Sequence, residues 1–108
     1  MIYKLFRAEE WAAAKSEPAF AGSTLDRKDG FIHFSTAAQA AETAARHFAG
    51  EEGLVLAEID SERLGMPLKW EPSRGGALFP HLYGPLPMSA VVRTWLLAAG
   101  NVLPPDLA

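Results

Sequence analysis

Asp29-Gly30-Phe31-Ile32-His33-Phe34-Ser35-Thr36-Ala37-Ala38-Gln39 carries the strongest structural signal in the chain. Asp-Gly marks a turn. Phe31 to Phe34 is then a short apolar run holding one histidine, the pattern of a buried strand. Thr36 and Gln39 stand three residues apart, as in a capping box. Beyond them Ala37, Ala41, Ala44 and Phe48 recur at helical spacing. The spacing predicts a helix from Thr36 to about Phe48.

Working outward, Ile2 to Phe6 reads as an opening strand and Glu9 to about Lys15 as an alanine-rich helix closed by Pro18. Ala21 to Gly30 reads as a polar loop. Leu54 to Ile59, Leu68 to Glu71 and Val91 to Leu97 read as strands, Pro72 to Pro80 as a loop, and Leu82-Tyr83 as a brief strand. Helices come early and strands late, which predicts an α+β fold with two main helices. The 108 residues make one domain, with 102–108 as an irregular tail.

Composition removes several function classes. Hydrophobic residues make up 49% of the chain, enough for a packed core. A net charge of -3 argues against nucleic acid as the main partner. There are no cysteines, so disulfides, thiolate nucleophiles and cysteine-ligated zinc are excluded, and a reducing cytoplasm is the natural setting. The N-terminus does not read as a signal peptide, and no apolar run suits a membrane span. Nothing in the sequence specifies an oligomeric state. Trp11, Trp70 and Trp95 read as core residues rather than a partner surface.

Two histidine segments carry the candidate chemistry. In a strand, Phe31, His33 and Ser35 share one face, roughly 6–7 Å apart. That is too far for a nucleophile–base hydrogen bond and a good span for two contacts to one ligand. The helix start at Thr36 adds free N–H groups that favour an anion or carbonyl oxygen. The alternative is a core histidine, with Ser35 or Thr36 acting only as a cap.

The second segment runs from Arg74 through Gly75-Gly76 to His81-Leu82-Tyr83, with Pro80 and Pro85 as brackets. By alternation His81 and Tyr83 share a face. Arg74 suits a carboxylate or phosphate, and Gly76 permits close approach to a ligand. His33 and His81 are the candidate acid–base pair, and Ser35, Thr36, Arg74, Gly76 and Tyr83 the candidate binding residues. His33, His47 and His81 follow no metal-ligand spacing, so no metal is expected. Glu71 and Asp60 suggest no carboxylate pair.

Asp29 to Ser35, Gln39, Thr43, Leu68 to Glu71, Gly75-Gly76 and Phe79 to Leu86 together resemble the bacterial family called domain of unknown function 952. That family is similar, more remotely, to the ADP-ribosyltransferase fold, a compact α+β domain with a split, mostly antiparallel sheet. The resemblance implies a cleft for NAD or a related small-molecule nucleotide. It implies that His33 contacts ribose, Ser35 supports the pocket and Tyr83 stacks on nicotinamide. Transferases often carry a glutamate on a late strand, and Val91 to Leu97 has none. A small-ligand-binding or protein-interaction domain without chemistry is the alternative.

Overall fold

A computed structural model describes every residue except Asp106 and Ala108, and every side chain within its helices and strands except that of Arg74. The elements are β1 (Ile2–Phe6), α1 (Ala8–Ala14), β2 (Ala19–Phe20), α2 (Thr24–Asp29), β3 (Ile32–His33) and α3 (Ala37–His47). β4 (Val55–Ile59), β5 (Leu68–Pro72), β6 (Leu78–Leu82), β7 (Leu86–Pro87) and β8 (Val91–Leu96) follow. Every strand pairing among the described residues is antiparallel.

The strands form two three-stranded sheets, β1-β4-β8 and β3-β6-β5, and a two-stranded β2-β7 ribbon. Backbone hydrogen bonds tie the first sheet to the chain just past β3. Tyr3 and Ser35 exchange two backbone hydrogen bonds of 2.8 Å each. Leu54 to Ala57 is apolar at every position because both faces of the first sheet are covered. Ile2, Phe6, Val55, Ala57 and Ile59 pack with Ile32, Phe34, Leu82 and Leu86 on one side. Tyr3, Leu5, Leu54, Leu56 and Leu97 pack with Ala44 of α3 on the other. The small side chains of Ala40 and Ala44 let α3 lie close to the sheet.

Two local expectations are corrected. The polar loop 21–30 contains α2, which makes three α-helices rather than two main ones. Ser23 accepts from the Asp26 N–H, the Asp26 carboxylate accepts from the Ser23 N–H, and Gly30 ends the helix in the left-handed region at φ 88°. The proline-bounded loop is shorter than its sequence suggests, because β6 begins at Leu78. Pro80 sits inside this middle strand, where a proline normally removes a ladder bond. Its carbonyl accepts from the Phe34 N–H at 3.1 Å, on the β3 side. The missing N–H therefore faces that side, just past the end of the two-residue β3.

The stretch 102–108 includes Asp106 and Ala108, which lie outside the described residues. Val102 pairs with Ala98 in an isolated bridge, and Leu103 and Leu107 pack beside the Tyr3–Leu56 cluster. Among the described residues no helix is long and apolar enough to cross a membrane.

A cleft with two carboxylate-held histidines

The β3–β6 register places His33 directly opposite His81. Their ring centroids are 5.7 Å apart, edge to face. Phe31, two residues before His33 on the same face, stacks on His81 with centroids 4.1 Å apart. Ile32 and Phe34 point the other way into the core. The alternation inferred for this strand thus delivers its histidine to a cleft and its aliphatic neighbours to the interior.

That cleft has a cavity volume of about 170 Å³ and opens to solvent. His33, Ser35 and His81 line it, together with Lys4, Asp26 and Thr43. Its volume is below the roughly 300–1,000 Å³ of an ordinary small-molecule site, so the cleft encloses one part of a larger ligand, such as a sugar. Toward its other end lie Arg7, Glu10, His47 and Phe48. Arg7 covers the Phe48 ring at 4.9 Å and pairs with Glu51 at 2.7 Å.

Each histidine is held by a carboxylate from a different element. His33 Nδ1 lies 2.6 Å from Asp26 Oδ1, and its Nε2 lies 2.9 Å from Asp29 Oδ2. Both aspartates come from α2. Asp26 is only 2% exposed and also forms a 3.1 Å ion pair with Lys4, itself 7% exposed. Burial alone would raise the Asp26 carboxyl. The His33 hydrogen bond, the Lys4 charge and the Ser23 and His33 amides outweigh burial and hold it well below the usual carboxylate range. Burial also draws the Lys4 ammonium below its ordinary value, against the opposing pull of Asp26. Lys4 donates to the His33 carbonyl at 3.1 Å as well, so it fixes the strand and the imidazole together.

Gly22 makes this packing possible. A Cβ there would stand 2.9 Å from the Asp26 Cβ, and the backbone has φ 112°, which side chains rarely adopt.

His81 is held from β5. Its Nδ1 lies 2.8 Å from Glu71 Oε1, and the Tyr83 hydroxyl donates to the same oxygen at 2.7 Å. The Tyr83 and His81 hydrogen bonds hold Glu71 below its ordinary value, and Glu71 raises the Tyr83 phenol in return. An ionised carboxylate only accepts, so Nδ1 donates and Nε2 of a neutral ring is an acceptor. The His81 ring is 5% exposed, and Nε2 has no hydrogen-bond partner among the described residues. His81 lines the cleft, where Nε2 can accept from a ligand or water.

The other candidates separate. Ser35 is buried at the cleft wall and shares a 2.7 Å hydrogen bond with Thr43. Thr36 caps α3 by accepting from the Gln39 N–H. Gly76 sits in the β5–β6 turn at φ 83°, and neither Thr36 nor Gly76 lines the cleft. Tyr83 is 45% exposed and stands beside Phe31, with ring centroids 5.3 Å apart, rather than in the cleft wall. The Arg74 side chain lies outside the described residues. His47 is the last residue of α3. Among the described residues no group of three or more His, Asp or Glu side chains is arranged to hold a metal. Of the tryptophans, Trp11 packs on Phe6, Trp95 is half-buried under Arg93, and Trp70 is exposed.

Lys4, Asp26 and Glu71 hold the two histidines, and sequence reasoning named none of them as a candidate site residue. Lys4 shares the inward face of β1 with Ile2 and Phe6. A lysine on an apolar face needs a buried carboxylate, and Asp26 was marked by its capping spacing to Ser23. Glu71 lies opposite Phe79 in the β5–β6 register, which brings it within reach of His81 on the same face.

Solved structures of one protein resemble this chain over nearly its whole length. The crystal structure of Protein CC0527 from Caulobacter crescentus is 52% identical and has a TM-score of 0.86, covering 94% of this chain and 90% of that one. The solution NMR structure of CC0527 has a TM-score of 0.78 at 52% identity, covering 93% and 88%. No curated protein matches. The family described as "Protein of unknown function (DUF952)" matches residues 5–94, a span that includes both histidine segments. The chain belongs to that family.

Proposed function

We propose that the cleft binds NAD or a related nucleotide, with His81 contacting its sugar and His33 beside it. The observation that carries this reading is His81 in the cleft wall, with Nδ1 held by Glu71 and Nε2 without a partner among the described residues, beside a second, carboxylate-held histidine. A sugar hydroxyl is the donor that suits it, and His81 is then the base that would take a proton in any transfer step. His33 engages carboxylates through both nitrogens and acts as a donor. Ser35 and Thr43 supply polar wall. Tyr83 acts through Glu71.

Binding is favoured over ADP-ribosyl transfer by one observation. β8, Val91–Leu96, has no carboxylate to stabilise a developing positive charge on a ribose. The reading is tested by calorimetry with NAD and ADP-ribose, alongside an assay for nicotinamide release. Wild type should bind, and His81→Ala should weaken binding at least about tenfold, in the range of a lost buried hydrogen bond. No binding of either compound to the wild type overturns the nucleotide reading. Nicotinamide release above the buffer rate would restore the transferase reading.

A further inference from the structure

Building on the nucleotide reading of the cleft, we propose that Asp29 holds the place of a ligand phosphate on His33 Nε2. The two carboxylates on His33 are unlike. Asp26 is 2% exposed and locked by Lys4 and by the Ser23 and His33 amides. Asp29 is 37% exposed, is the last residue of α2, and reaches Nε2 from the rim at 2.9 Å. An ion pair made by such an exposed side chain contributes little. A rotation about its own side-chain bonds releases it, and α2 need not move.

Charge decides what replaces it. Carboxylates only accept, so both His33 nitrogens donate in this arrangement. Lys4 and His33 are then balanced by Asp26 and Asp29. When Asp29 swings out, the His33 Nε2–H loses its acceptor and the negative charge beside it. The incoming group must be an anionic acceptor, as Asp29 is, and a phosphate fits this better than a hydroxyl. The neighbouring His81 Nε2 is an acceptor and takes a hydroxyl. The pair therefore selects a sugar phosphate, a hydroxyl and a phosphate side by side, rather than a free nucleoside.

The test is calorimetric titration of wild type and Asp29→Asn with AMP and with adenosine, with Asp29→Ala as a second variant. AMP should bind both variants about fivefold more tightly than wild type, the fold-change expected for removing an exposed competing pair. Adenosine should bind all of them alike. Adding His33→Gln to Asp29→Asn should abolish the gain. Unchanged or weakened AMP affinity in the Asp29 variants, with AMP still bound by wild type, overturns the phosphate assignment and leaves the cleft reading standing. Binding of neither compound to any form overturns both.

Discussion

His33 and His81 face each other across the β3–β6 register with ring centroids 5.7 Å apart, and each is held by a carboxylate from a different element. Asp26 comes from α2 and Glu71 from β5, so the pair is clamped from both sides of the cleft. The stability of this region rests on the Lys4–Asp26 ion pair beneath it, because both members are removed from water.

Lys4→Met should therefore destabilise the fold by about 3 kcal/mol, the cost of leaving one charge of a buried pair without its partner. Adding Asp26→Asn should recover part of the loss, since the second change removes the stranded charge. Urea unfolding of the wild type, both single variants and the double variant checks this. A loss under about 1 kcal/mol for Lys4→Met would show that the pair does not carry that role.

Acid should weaken the fold through Asp26. Its carboxyl is held well below the usual range in the folded protein, against about 3.9 in an unfolded chain. A depressed folded value gives stability that is present above the unfolded value and is lost as pH falls toward the folded one. The stability difference between wild type and Asp26→Asn should thus be largest near neutral pH and shrink below about pH 4. Chemical unfolding at pH steps from neutral to acid reads this directly. A difference that stays constant with pH would contradict it.

Glu71 should be visible through Tyr83. The hydrogen bond to Glu71 raises the phenol above its ordinary value. Glu71→Gln removes the charge and should bring one of the two tyrosines down toward that value. A tyrosinate absorbance titration of wild type and variant, with Tyr83→Phe identifying the transition, measures the shift. Identical curves for wild type and Glu71→Gln would remove Glu71 from the arrangement.

Much of the site was legible because strand alternation is a local rule. Phe31, His33 and Ser35 share a face, and Thr36–Gln39 starts α3, as their spacing implies. What was not legible depends on contacts distant in sequence. α2 has six residues and no apolar stripe, so only the Ser23–Asp26 cap announced it, and Asp29-Gly30 read as a turn when it is the helix end. Pro80 argued against a strand, yet its missing donor falls where β3 has run out. Lys4 and Asp26 are 22 positions apart, and their union exists only once β1 and α2 are packed. Tyr83 was placed on the right face, but its exposure and its bond to Glu71 follow from the β5–β6 pairing.

The central claim is that His81 Nε2 is the acceptor that receives the ligand. Long-range proton–nitrogen NMR of the histidine rings tests it most directly. In the ligand-free protein at neutral pH, His81 should show the tautomer protonated at Nδ1. On titration with ADP-ribose, its Nε2 resonance should move toward that of a hydrogen-bonded nitrogen, with His33 shifting alongside. A His81 ring protonated at Nε2, or His81 and His33 signals unmoved at saturating ADP-ribose, would contradict the account.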